Sequence, residues 1–336
     1  MANFTKFGND LYTGARSFDI VGRRRLWYLV SGIVILLCVL GPLLRGGFAF
    51  GIEFRGGSEF QVPGVDVSDS IEAQNIALDA VEGIADDAAP RASVLGGDTV
   101  RVQTEQLPEG ESREIRESLA DAFGVPIEDV TASFIGPAWG ADITNQALRA
   151  LVIFLVVVSL IMALYFRTWK MSLAAIIAML HDLVVTAGVY GIFGFEVTPA
   201  AVIGLLTILG YSLYDTVVVF DKIRENTSEE GEQSRRTFAQ SVNLAVNQTI
   251  VRSINTSVVA TLPIAAILFI GALLLGAGTL RDIALALFIG TIVSTYSTIF
   301  VAAPVYTHLR ENEPEVKKLG SKREPVKAAS PSGAVR

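Results

Sequence analysis

Ala150-Leu151-Val152-Ile153-Phe154-Leu155-Val156-Val157-Val158-Ser159-Leu160-Ile161-Met162-Ala163-Leu164-Tyr165-Phe166 is a run of 17 residues without a charge. As a helix rising 1.5 Å per residue it climbs about 25 Å, close to the ~30 Å of hydrocarbon in a bilayer. Five further stretches read the same way: Leu26 to Leu44, Met171 to Phe195, Val197 to Phe220, Ser253 to Leu280 and Ile283 to Thr307. Only two acids interrupt them, Asp182 (with His181 beside it) and Asp215. None alternates apolar and polar residues with period two, which excludes the strands of a membrane barrel. Six transmembrane helices are expected.

Composition agrees with that reading. Of 336 residues 18% are charged and 51% apolar, where a soluble domain carries about 25% charge; mean hydropathy is +0.48. Cys38 is alone, so no intrachain disulfide can form, and the two histidines, His181 and His308, are too distant in sequence to suggest a metal site. A net charge of −7 gives no reason to expect nucleic-acid binding. No cofactor is implied.

Orientation follows from the basic residues. Arg23-Arg24-Arg25, Arg167, Lys170, Lys222, Arg224, Arg235 and Arg236 fall on one side, with Lys317, Lys318, Lys322, Arg323 and Lys327 of the tail. By the positive-inside rule both termini are cytoplasmic. A cleaved leader is disfavoured, because the first span is too long for one and no A-x-A site follows. The expected division is a cytoplasmic segment 1–25, a first span 26–45, an outer domain 46–147, spans two to six over 148–310 with a cytoplasmic loop 221–251, and a disordered tail 311–336. Within that loop Phe238, Val242, Ala245 and Val246 lie at helical spacing, an amphipathic helix expected at the inner membrane surface. The tail, with three prolines and many lysines, suits anionic lipid or an acidic partner.

The outer segment has 19 acidic and 5 basic residues and is long enough for one small domain. Ser58 to Val62 alternates like a strand, and Asp69 to Ile84 reads as a helix with Ile71, Ile76, Leu78 and Val81 on its apolar face. Ala92 to Leu95 and Thr99 to Gln103 flank the turn Gly96-Gly97-Asp98; a helix Glu111 to Phe123 and a strand Val130 to Ile135 follow. That order is the α+β ferredoxin-like plan.

An acid within a span costs about 2.5–3.5 kcal/mol on insertion scales and is retained for a partner or a task. Thr207, Tyr211 and Asp215 recur every four residues, a polar stripe that must face the bundle or water. Asp215 is then either a proton-binding carboxylate or a structural link between helices. Arg252 opens the fifth span on the same side and either reaches toward Asp215 or anchors the helix end. His181 and Asp182 could extend a proton relay, although neighbours on a helix point about 100° apart and are not expected to face one site. An intramembrane aspartyl protease is disfavoured, since Asp182 lacks the Gly-x-Gly that such a site requires.

Gly51-Ile52-Glu53-Phe54-Arg55-Gly56-Gly57-Ser58 resembles the G-[IL]-D-F-x-G-G-[ST] motif of the SecD/SecF protein-export family. Ile135-Gly136-Pro137, His181-Asp182, and the string from Gly210-Tyr211-Ser212-Leu213-Tyr214-Asp215 to Glu225-Asn226 are similar to its SecF branch. The resemblance runs from the first span to the sixth. It implies half of an RND-like transporter, no enzyme, paired with a SecD half beside the SecYEG channel, with a YidC-type insertase as a further neighbour. The pair would use the proton gradient to draw unfolded preproteins outward after SecA has pushed them across. It further implies proton passage at Asp215 and at Arg252 within Gln248-Thr249-Ile250-Val251-Arg252. Gly51, Glu53, Gly56 and Gly57 would couple the bundle to the outer domain, with Gly56-Gly57 either a hinge or a plain turn. Two departures stand out: Tyr214 replaces the usual Asn, and Glu53 the usual Asp. An RND-type exporter of a small molecule or lipid is the runner-up, though such pumps commonly hold twelve spans in one chain; a scaffold without a transport cycle is the third reading.

Overall fold

The computed structural model describes residues 2–65, 70–85, 88–95, 98–166, 168–227, 236–272, 278–314 and 316. The Gly96-Gly97 turn, the polar stretch 228–235 and the tail beyond 316 lie outside the described residues. Six helices are long and apolar enough to cross a membrane: Arg24–Leu44, Pro137–Phe166, Trp169–Phe193, Pro199–Thr227, Phe238–Gly271 and Leu280–Arg310. They correspond one for one to the six runs in the sequence. In chain order the helices are α1 (Ala2–Thr13), α2 (Arg24–Leu44), α3 (Ile52–Arg55), α4 (Ser70–Val81), α5 (Glu109–Phe123), α6 (Pro137–Phe166), α7 (Trp169–Phe193), α8 (Pro199–Thr227), α9 (Phe238–Ala266), α10 (Gly278–Ser297) and α11 (Ala303–Arg310). Wide π-turns, Ile267–Ala272 and Thr298–Ala302, extend α9 and join α10 to α11.

Apolar surface gives helices no drive to associate inside lipid, so close backbone approach at small residues does that work. A Cβ on Gly188 would lie 2.1 Å from Cys38 Cβ, and one on Gly191 2.3 Å from Pro42, where α7 meets α2. Gly204 and Gly290 do the same for α8 and α10, against Ala286 and Ile208. α7 is the most enclosed span, and α6 and α9 leave most of their surface uncovered.

Strands β1 (Gly57–Val62), β2 (Arg91–Leu95), β3 (Thr99–Thr104) and β4 (Thr131–Ile135) form one antiparallel sheet in the order β2-β3-β1-β4, with α4 and α5 in the connections. Strand alternation writes two faces. Phe60, Val62, Val100 and Val102 are fully buried beneath the helices with Ile115 and Leu119. Glu59, Gln61, Arg101 and Gln103 point the other way. The helix face expected for α4 is corrected: Ala73, Ala77 and Val81 are buried, while Ile71 and Ile76 are exposed.

A second correction concerns the loop helix. Phe238 to Val246 is no separate element at the membrane surface but the first turns of α9, which runs unbroken through Arg252 into the span. Its start is fixed by a capping box between Thr237 and Gln240. Val242, Ala245 and Val246 are fully buried by protein, with Leu11, Ile20 and Val21 in the same core. Asn243 accepts from the Ile20 and Val21 amides at 2.9 and 3.1 Å, and Asn247 accepts from Phe18 N–H at 2.7 Å. The N-terminal segment thus straps the first turns of α9, satisfying its own backbone donors by side chains.

Candidate functional site

In an apolar bundle the buried polar groups must find one another, since each unpaired one costs free energy. Here they gather where α7, α8, α9 and α10 meet. Asp215 on α8 is 3% exposed and accepts a hydrogen bond from Ser253 on α9 at 3.1 Å. Its second oxygen, Oδ2, is buried without a partner among the described residues. Tyr211, one turn away, buries its hydroxyl close to Ser257 and Asp215 without a well-aligned hydrogen bond. Thr216 pairs with Thr298 at the π-turn (3.1 Å), and Thr295 donates to Ser257 at 2.6 Å. Irregular turns of this kind are frequent at functional sites.

The predicted stripe divides on inspection. Asp215 is covered by α9 of the same chain, so nothing further is needed to shield its carboxylate from lipid. Thr207 and Tyr214 are exposed on α8, as are Arg252 and Asn255 on α9. Arg252 forms no ion pair with Asp215 among the described residues, although its charge is near enough to act on it.

His181 and Asp182 do come together, against the expectation from helix geometry. His181 Nδ1 lies 3.3 Å from Asp182 Oδ1. Both are buried, at 5% and 1% exposure. Asp182 accepts from Ser212 of α8 at 2.6 Å, three residues before Asp215. His181 stacks on Tyr296, with centroids 5.9 Å apart, and Tyr296 shares a hydrogen bond with Ser31 of α2 at 3.0 Å. The polar band therefore runs from α2 through α10, α7 and α8 to α9.

The glycine motif lies elsewhere, where the sheet joins the bundle. Gly57 pairs with Ile135, so the strand entering the sheet and the strand leaving it meet at one corner. A Cβ on Gly56 would sit 3.1 Å from Pro137 and one on Gly57 2.3 Å from Thr104 O. Their φ values, +77° and +142°, suit only glycine. Gly51 passes against Glu53, whose Oε2 is buried without a partner among the described residues. Burial pushes the Glu53 carboxyl above the usual carboxylate range; the Glu196 and Glu59 charges add to this and Arg101 opposes it.

Ser253, Ser212, Thr298, Tyr296 and Glu196 were missing from the sequence reading. Ser253 and Ser257, Thr291 and Thr295, Ser294 and Thr298 each recur at four-residue spacing, a signal that those hydroxyls share a helix face.

Residues 115–312 match the family described as protein export membrane protein SecD/SecF, C-terminal. The chain is 44% identical over 325 residues to the protein translocase subunit SecF of Mycobacterium leprae, covering 93% of this chain and 68% of that one. The Streptomyces coelicolor SecF is 42% identical, with 95% and 84% covered. Among solved structures, SecDF of Thermus thermophilus, a translocon-associated membrane protein, aligns with TM-score 0.75 and 29% identity. The alignment covers 88% of this chain but 39% of SecDF, so this chain spans about two fifths of that protein.

Proposed function

We propose a mechanism from one premise: the chain belongs to the SecD/SecF family of protein-export membrane proteins, in its SecF branch. In it the chain is the SecF half of a proton-driven translocase, partnered by a SecD-like half beside SecYEG and a YidC-type insertase. It completes the export of unfolded preproteins after SecA has acted. Both termini are cytoplasmic, and the ferredoxin-like domain of residues 46–147 faces outward. The βαββαβ order and the β2-β3-β1-β4 sheet support that domain assignment.

The observation that carries the proton reading is Asp215, which is nearly inaccessible, held by one serine, and left with a free carboxylate oxygen. A neutral acid satisfies such a site; an ionised one needs Arg252 to turn inward or water to enter. Protons pass between the Tyr211–Asp215 and His181–Asp182–Ser212 groups, and each change of charge favours a different packing of α8 against α9 and α10. The outer domain follows through the corner at Gly56-Gly57, a hinge because entry and exit strands meet there.

Asp215→Asn keeps size and polarity but cannot titrate. In inverted vesicles the variant inserts at normal abundance and loses the gradient-dependent part of export. Full response to the gradient with Asn at this position would make Asp215 structural.

A further inference from the structure

The polar residues of β1 and β3 meet the outward ends of the bundle, while Thr131 and Ser133 of β4 on the same face stay exposed. Arg101 of β3 pairs with Glu196, in the loop between α7 and α8. Gln103 donates to Glu196 at 2.7 Å and to Glu59 of β1 at 3.0 Å, and Gln61 donates to Glu59 at 2.7 Å. A short parallel bridge, Phe50 to Val197, ties the α2–α3 linker to the same loop. Beyond it Thr198 donates to Asp282 of α10 at 2.8 Å. Glu53 completes the cluster, close to Glu59, Glu196 and Arg101.

Counting charges makes the arrangement unusual. Glu53, Glu59 and Glu196 face one guanidinium, Arg101, which also acts on Asp282 together with the weaker Arg281, and Arg55 on the helix of Glu53 is exposed. The side chains of Arg101, Glu59 and Glu196 are 17%, 14% and 16% exposed, too little for water to absorb two surplus negative charges. Gln103 and Gln61 supply neutral donors to Glu196 and Glu59, while Glu53 Oε2 receives none. One proton on Glu53 removes one surplus charge and leaves the other two carboxylates with their donors.

We infer that Glu53 is a second proton-binding site, on the outward side, and that its proton latches the outer domain onto the α7–α8 loop. Loss of the proton sets Glu53 against Glu59 and Glu196 and frees the domain to swing about the Gly56-Gly57 corner. The sign follows from linkage. A carboxyl held above its free value favours the docked state below about pH 4.3 and releases it as pH rises through the docked value. An acidified outer face therefore keeps the domain docked. This rests on the coupling role given above to the Gly51–Gly57 segment, and not on Asp215.

Spin labels report the swing. In the full chain in lipid nanodiscs, with Cys38→Ala, Ser70→Cys on the domain and Phe193→Cys at the outer end of α7 carry the pair. The interlabel distance should be single at about pH 4 and split as pH rises, the docked-to-free ratio falling by up to about tenfold per pH unit for one coupled proton. Glu53→Gln, isosteric and permanently neutral, should hold the docked distance to pH 9, and Arg101→Gln should release it throughout. An unchanged distance between about pH 4 and pH 9 in the parent chain overturns the latch, as does a Glu53→Gln chain that still splits. Asp215→Asn should leave the pH response intact, so failure of the Asp215 reading is told apart from failure of this one.

Discussion

Gly57→Ala is the sharpest test of the corner where the sheet joins the bundle. Its added methyl would stand 2.3 Å from the Thr104 carbonyl oxygen, a backbone atom that cannot rotate away, at a φ of +142°. A conformation reserved for glycine costs about 1–3 kcal/mol, and forcing a methyl into filled space about 1–3 more. The sum, ~2–6 kcal/mol, falls on the Ser58–Thr104 end of the β1–β3 ladder. Opening of that ladder should rise about 30-fold or more, since each 1.4 kcal/mol is a factor of ten. Hydrogen exchange read by mass spectrometry on the full chain in nanodiscs resolves such a change in peptides over β1 and β3. Two glycines calibrate it. Gly64, with φ +73° and nothing within 4 Å, should show only the backbone cost, and Gly110, open and inside α5, should tolerate alanine or gain from it. Equal protection in Gly57→Ala and Gly64→Ala would refute the steric account of the corner.

Two further outcomes are expected. In a Cys38→Ala background, Ser70→Cys should label from outside intact cells with an impermeant thiol reagent, and Glu225→Cys only once the membrane is opened; labelling of Glu225→Cys in intact cells reverses the orientation. Tyr214→Cys and Asn255→Cys, on the exposed polar face of α8 and α9, should crosslink to a second polypeptide, whereas Leu209→Cys, 1% exposed within the chain, should not. A functional chain that purifies alone without such crosslinks would remove the paired-halves reading.

The spans were legible because charge is so costly in hydrocarbon that its absence over 17 or more residues has one main reading. The sheet was legible because period two and turn residues mark strands locally. What the sequence hid is what covers each face. Phe238 to Val246 has the same periodicity whether lipid or protein lies on it, and only Asn243 and Asn247, placed to accept from the N-terminal strap, hinted at protein. Glu59, Gln61, Arg101 and Gln103 look like an ordinary wetted strand face until Glu196 arrives from 93 or more residues away. The apolar face of α4 was misread because large residues were favoured over Ala73 and Ala77, although the close approach of α4 to the sheet admits only small ones.

The same helix joins both proposed proton sites. α8 begins beside Thr198, which holds Asp282 next to the outward cluster, and carries Ser212, Asp215 and Thr216 into the polar band. Its contacts with α10 are close at Gly204, which meets Ala286 and the Ile283 backbone, and at Gly290, which receives the Ile208 side chain. The hydrogen bonds tying α8 to its neighbours in the band are Asp215 to Ser253, Thr216 to Thr298 and Ser212 to Asp182, and such bonds within membranes average about 0.6 kcal/mol with a maximum near 1.7. One proton crossing 100 mV delivers about 2.3 kcal/mol. That exceeds any one of these bonds, a magnitude in keeping with the proposed proton-driven step.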